Sequence, residues 1–269
     1  MQKVILITGA TDGIGFETAK TLVEQGHHVL LHGRNPQKLK DVEQKLASIS
    51  NSAKIESYVA DLSVLADVEA LASKVLAGQS RLDVLINNAG VFNTPTPITS
   101  DNLDVRFVVN TLAPYHLTKR LLPLLGSSSR VVNLSSAAQA PVSIDALEGR
   151  KPLSNGEAYA QSKLAITMWT REMATELAGK GPMVVAVNPA SLLGSKMVKD
   201  AYGIAGGDLS IGSDILVRAS LSDEFAEAHG KYFDNDNGVF ANPHPDAIYG
   251  DKSQQVVAKI DEIIAATLS

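Results

Sequence analysis

The chain has no cysteine. That excludes disulfides, thiolate zinc sites, iron–sulfur clusters and cysteine nucleophiles, and it agrees with a reducing compartment without requiring one. No basic block stands out. The 24 basic and 29 acidic residues leave a net charge of −5, so a sequence-independent nucleic-acid footprint is not expected. No apolar run approaches the ~18 residues of a membrane span; Leu121–Leu125 is short and broken by Pro123. The six histidines form no metal set: His27-His28 falls in a turn, and His244 sits between Pro243 and Pro245. The opening run Val4-Ile5-Leu6-Ile7 is too short for a signal-peptide core and has no small-residue cleavage site after it. The expectation is a soluble, cytoplasmic protein without a metal.

What is present is a rhythm. Apolar runs at Val4–Ile7, Val29–Leu31, Ile55–Val59, Val84–Ile86, Val131–Leu134 and Met183–Val187 alternate with helical stretches at about 14–25, 36–49, 65–77, 101–125 and 157–179. Several runs are continuous rather than alternating, which suits strands buried on both faces of a parallel sheet. The pattern predicts a doubly wound α/β sheet, Rossmann-like, of about seven strands with helices on both faces. No linker or repeat interrupts it, so residues 1–269 read as a single domain. After about residue 190, Gly, Ser, Asn and Pro become common. Loops beyond the carboxyl ends of such strands form the ligand crevice, which makes about 190–212 the candidate substrate loop. Ser253–Leu268 has helical apolar spacing and should pack back on the body.

Thr8-Gly9-Ala10-Thr11-Asp12-Gly13-Ile14-Gly15 follows the first strand and opens a helix. Glycines there allow a sharp turn and close approach of backbone to a pyrophosphate, and the helix N-terminus offers amides to the phosphates. Plain turn chemistry is the alternative. The spacing is GxxxGxG rather than GxGxxG. Together with Asn87-Asn88-Ala89-Gly90 after the fourth strand and Tyr159-Ala160-Gln161-Ser162-Lys163, it resembles the short-chain dehydrogenase/reductase family, with matches from residue 4 to about 195. The resemblance implies an oxidoreductase that moves a hydride between a nicotinamide dinucleotide and a small-molecule carbonyl or alcohol. It implies dinucleotide contacts at Thr8, Gly9, Thr11, Asp12, Gly13, Ile14, Gly15, Asn88, Ala89 and Gly90. It also implies association as a homodimer or homotetramer, through the helix bearing Tyr159 and the one before it.

The second strand ends His32-Gly33-Arg34-Asn35 with no acidic residue to accept ribose hydroxyls. Arg34 has a fork suited to phosphate, with His32 and Asn35 as further donors, so the resemblance points to NADP(H); Asp12 in the glycine turn weighs toward NAD(H). Asp61-Leu62 resembles the family's adenine-contacting pair, although a helix N-cap at Asp61 or Ser63 reads equally well.

Tyr159 and Lys163 lie at i and i+4, on one helix face. A neighbouring cation should lower the phenol pKa toward the range where it serves as a general acid. By similarity Ser136, with Ser135 as the alternative, binds the substrate carbonyl, Asn110 supports a proton relay, and Lys163 also binds the nicotinamide ribose. The family's Pro-Gly after strand six is Pro189-Ala190 here; Ser191, Leu192 and Ser195 follow as cofactor contacts, with Ser195 where a Thr is usual. The 23-residue separation of Ser136 and Tyr159 reflects an insertion at about 140–157, similar to retinol-dehydrogenase-like members and expected at the pocket mouth. Tyr202 and the 197–209 segment are expected substrate contacts, and Trp169 a packing or subunit-interface residue. Two further readings use the same fold: an idle NADP(H)-binding regulator, and an epimerase or dehydratase.

Overall fold

The computed structural model describes residues 1–50 and 52–269. Its strands are β1 (Val4–Ile7), β2 (His28–Gly33), β3 (Lys54–Val59), β4 (Val84–Asn87), β5 (Arg130–Leu134), β6 (Met183–Asn188), β7 (Tyr232–Asp234) and β8 (Val239–Ala241). They form one sheet in the order β3-β2-β1-β4-β5-β6-β7-β8. All neighbours are parallel except β7 and β8. The order reverses between β1 and β4, and ligands in such sheets bind outside the strand ends at that switch point.

Successive side chains of a strand face opposite ways, and this splits the core in two. Ile5, Ile7, Val29, Leu31, Val132 and Val185 face α1 (Gly13–Glu24), α2 (Pro36–Ala47) and α9 (Leu209–Leu221). Leu6, Leu30, Leu85, Val131 and Val184 face α3 (Leu65–Gly78), α5 (Ala113–Leu121), α7 (Asn155–Glu176) and α10 (Gly250–Leu268). Both faces are covered, which is why the strands read as continuous apolar runs.

The structure corrects several expectations. The sheet has eight strands, not about seven. The Asn-rich segment after β7 is the turn of an antiparallel hairpin, pinned by Phe225, Phe233 and Phe240 with ring centroids 5.0–5.3 Å apart. Strand β8 escaped notice because it is three residues long with Val239 and Phe240 exposed. The stretch 101–125 is not one helix. A short turn, α4 (Val105–Phe107), leads into a π-turn at Val108–Leu112 and then α5. Pro114 has no N–H for an i→i−4 bond to Asn110, and the ladder widens so that the Ala113 N–H donates to the Val108 carbonyl. Such π-turns concentrate at functional sites. The substrate loop is itself partly helical, with α8 at Lys196–Tyr202.

Helix α7 opens with a capping box between Ser154 and Glu157, two residues earlier than the apolar spacing suggests. Its residues 162–170 are buried without interruption, the mark of a helix packed on all sides. One side is covered by α10, whose Val256, Val257, Ile260 and Ile264 join the core with Tyr115, Trp169 and Met173. Asp261 accepts from the Tyr115 hydroxyl at 3.1 Å and from Lys119 at 3.0 Å. One face of α5 and α7 is therefore covered by the chain's own helix α10. Trp169, fully buried and edge-on to Tyr115 at 5.5 Å, is a packing residue. The insertion does not simply overhang the pocket. It forms α6 (Ile144–Leu147), with Ala146 and Leu147 in the core and Glu148 bound to Lys259 on α10.

Candidate active site

The two glycine-bearing motifs meet at the switch point. Thr8 Oγ1 accepts from the backbone N–H groups of Asn88 and Ala89, each at 3.1 Å. In return Asn88 Nδ2 donates to the carbonyls of Thr8 at 2.8 Å and Gly9 at 3.1 Å. Asn88 thus braces the glycine turn. A Cβ on Gly15 would stand 2.2 Å from the Gly9 oxygen, so only glycine lets α1 start this close to β1. Asp12 caps α1, accepting from the Gly13 N–H at 2.8 Å.

At the end of β2, a Cβ on Gly33 would lie 2.6 Å from the Thr11 methyl. The missing acidic residue is therefore a packing fact as well as a chemical one: Thr11 occupies the space. Arg34 is exposed beside this corner. His32 is not a donor to a ligand. It is 2% exposed, its Nδ1 accepts from the Gly9 N–H at 3.2 Å, and its Nε2 faces the Ala60 carbonyl at 3.1 Å. Because Gly9 must donate, the tautomer carries its proton on Nε2. Burial lowers its pKa to about 4. Asn35 Oδ1 caps α2, accepting from the Lys38 N–H. Asp61 accepts from both the N–H and hydroxyl of Ser63, whereas the α3 cap is Val64 with no side-chain bond. The helix-cap alternative for Asp61 and Ser63 is thus absent. The Leu62 side chain lies in the core.

The catalytic candidates converge. Ser136 is partly exposed and lies beside the Tyr159 phenol, and its Oγ accepts from the Ala138 N–H at 3.1 Å. Ser135 is buried and spent on the Lys163 carbonyl at 3.1 Å and Thr167 at 2.6 Å. Lys163 Nζ donates to the Leu134 carbonyl at 2.7 Å and lies 5.6 Å from the Tyr159 ring centroid. Burial lowers its pKa to about 8. The expected depression of Tyr159 is reversed: burial raises its pKa, the Ser136 hydrogen bond works against this, and Tyr202 adds to the rise. Desolvation of the phenolate is the largest cause of the rise.

Asn110, in the π-turn, is fully engaged. Its Oδ1 accepts from the Val91 N–H at 2.8 Å, and its Nδ2 donates to the Val91 carbonyl and to Ser162 Oγ, both at 3.0 Å. Its side chain ties the strand-four loop to α7 rather than pointing into the cleft. Gly90 lies beside both Asn110 and Lys163: a Cβ there would stand 3.4 Å from Asn110 Oδ1 and 3.6 Å from the Lys163 ammonium, both ordinary contacts.

Several neighbours had no motif to announce them. Phe92 packs on Tyr159 with centroids 4.8 Å apart and on Tyr202 at 5.8 Å. Asn155, at the start of α7, joins Asn93 at 2.8 Å and accepts from buried Arg106, which is paired with Asp104. Tyr232 from β7 donates to the Ser136 carbonyl at 3.1 Å. These contacts come from residues far apart in sequence and carry no spacing signal. Ser195 caps α8, and its Cβ lies 3.6 Å from where a Gly13 Cβ would sit. Pro189, Ser191 and Leu192 form the turn leading to it. Among the described residues, no three His, Cys, Asp or Glu could hold a metal, and no helix is long and apolar enough to cross a membrane.

Comparison with known proteins agrees with this geometry. The short chain dehydrogenase family model matches residues 3–202. Retinol dehydrogenase 12 of Mus musculus is 34% identical over 244 residues, covering 86% of this chain and 77% of that protein. Polyprenol dehydrogenase of Homo sapiens is 38% identical over 192 residues, covering 68% of this chain and 58% of that one. A crystal structure from Mycobacterium paratuberculosis superposes with a TM-score of 0.81 at 26% identity, covering 98% and 94%. A short chain dehydrogenase from Escherichia coli complexed with NADPH has a TM-score of 0.69 at 28% identity, covering 87% and 96%.

Proposed function

The chain belongs to the short chain dehydrogenase family, in its retinol-dehydrogenase-like branch, and on that premise we propose that it is an NADP(H)-dependent carbonyl reductase and alcohol dehydrogenase with Tyr159 as its general acid and base. The observation that carries the proposal is the convergence of the Ser136 hydroxyl, the Tyr159 phenol and the Lys163 ammonium beside the switch point. The cradle fits a dinucleotide: a Cβ on Gly9 or Gly15 would collide with its neighbours, and α1 is a full helix whose N-terminus opens at that turn. Thr11 through Gly15 would hold the pyrophosphate, Arg34 the adenosine 2′-phosphate, Asp61 and Leu62 the adenine, and Lys163 the nicotinamide ribose. Bound there, the dinucleotide would supply or accept the hydride.

The chain's own residues do the rest. The Ser136 hydroxyl donates to the substrate carbonyl oxygen and orients it. Tyr159 hands its proton to that oxygen as negative charge develops. The ordinary phenol, with a pKa of about 10, is already protonated at neutral pH, the state that carbonyl reduction requires, and burial shifts it further up. Lys163, still largely charged below its value of about 8, stabilises the phenolate left behind. Asn110 acts through Val91 and Ser162, fixing the strand-four loop against α7.

On the substrate side, Phe92, Tyr202 and Leu192 favour an apolar molecule, as do the names of the retinol and polyprenol relatives. The test is NADPH consumption across aldehydes and ketones of increasing apolar length. Tyr159→Phe should abolish turnover while NADPH still binds; near-normal turnover overturns the mechanism. Tight NADPH binding by the unmodified chain without hydride transfer to any acceptor would instead favour the regulator.

A further inference from the structure

Strand β6 ends at Asn188, and the chain then turns through Pro189-Ala190-Ser191-Leu192. Two of these residues have positive φ without being glycine: Ala190 at 117° and Leu192 at 53°. Such a conformation persists only where the surroundings over-determine it. Here the surroundings are the β7–β8 hairpin. Asp236, in its turn, accepts from the Ser191 N–H at 2.7 Å, the Ser191 hydroxyl at 2.6 Å and Asn188 Nδ2 at 2.9 Å. Asn235 Nδ2 donates to the Pro189 carbonyl at 3.0 Å. Charge-assisted bonds of this length are the strong ones. Burial works to raise the Asp236 pKa, but the bonds from Ser191 and Asn188 prevail and hold it below its ordinary value.

Downstream, the turn fixes the ligand cleft. Gly207 N–H donates to the Leu192 carbonyl at 2.8 Å and Gly194 N–H to the Gly207 carbonyl at 2.7 Å. Ser195 follows, set over the glycine turn. We propose that Asp236 is a positioning residue, whose carboxylate holds the strained Pro189–Leu192 turn in the form that seats the nicotinamide half of the dinucleotide. This rests on the function proposed above. It also accounts for how the chain keeps an alanine where the family it resembles carries glycine: the clamp supplies the constraint that glycine would make unnecessary.

The test is fluorescence titration of the full chain with NADPH and with 2′-phospho-ADP-ribose, which keeps the adenosine half and lacks the nicotinamide. Asp236→Asn should raise the Kd for NADPH about tenfold, or about 1.4 kcal/mol, and leave the fragment's Kd within about twofold. Adding Ala190→Gly, which removes the strain the clamp opposes, should bring the double variant back to within about threefold of wild type for NADPH, a coupling that contacting residues show and independent ones do not. Should Asp236→Asn fail to fold, Ser191→Ala removes one bond of the clamp and should give a smaller loss of the same kind. Unchanged NADPH binding, equal loss of NADPH and fragment, or no recovery in the double variant overturns the proposal alone. A wild-type chain that binds neither NADPH nor NADH overturns the functional reading, and this inference with it.

Discussion

His32 offers a prediction with a calculable size. The residue resembles a phosphate ligand in sequence and is an internal strap in the fold, joining the first glycine of the phosphate turn to the carbonyl of Ala60. Its pKa is lowered to about 4 by burial, against an ordinary 6.5. The unfolded chain therefore takes up the proton first as pH falls. The penalty is absent above the unfolded value of about 6.5 and grows as pH drops toward the folded value of about 4. With 1.36 kcal/mol per unit, it reaches about 2 kcal/mol near pH 5 and about 3 kcal/mol near pH 4. For a chain of this length that is a loss of about 4 °C in Tm near pH 5. His32→Gln keeps an amide acceptor and donor but cannot titrate. Circular-dichroism melts of both proteins near pH 8 and pH 5 isolate the contribution, since His27, His28 and the carboxylates cancel in the difference. The fall in Tm should be about 4 °C smaller in the variant. Equal falls would show that His32 does not bridge Gly9 and Ala60 as a neutral ring. A second reading discriminates the roles: a strap weakens NADPH and NADH alike when altered, whereas a phosphate ligand would weaken NADPH selectively.

Two further substitutions test the cofactor side and the packing. Arg34→Ala should weaken NADPH more than NADH by about 10- to 150-fold, the value of about 1.5–3 kcal/mol for a hydrogen bond to a charged group; equal weakening in paired titrations would remove Arg34 from 2′-phosphate recognition. Ile260→Asp places a carboxylate at a fully buried position between α10 and α7, where an unpaired charge costs several kcal/mol. The expected result is a drop in Tm of at least several degrees or loss of soluble protein, and an unchanged melt would refute the packing of α10.

What the sequence disclosed and what it withheld follow one physical division. The sheet was legible because a strand buried on both faces is apolar along most of its length: β1 throughout, β5 but for Arg130 and Asn133, and β6 but for Asn188. The glycine turn and the Tyr159–Lys163 pair were legible because each is local, a few residues at fixed spacing; the Asn88 brace, which spans about 80 residues to Thr8 and Gly9, was not. Contacts made by the tertiary fold were not. Nothing near His32 says that its ring will be closed between Gly9 and Ala60, 23 and 28 residues away, and a histidine beside an arginine at a strand end reads most simply as a phosphate ligand. The pKa of Tyr159 fails for the same reason: the i,i+4 rule supplies the cation, but desolvation is a property of everything packed around the ring. The covering of α5 and α7 by α10 was not legible, because the amphipathic spacing of α10 says only that it packs, not where. Asp236 combines both cases. Its position after β7 is unremarkable, and the alanine it compensates lies 46 residues earlier; only the sheet pairing of β6 with β7 turns an oddity at Ala190 and an exposed acidic turn into one device.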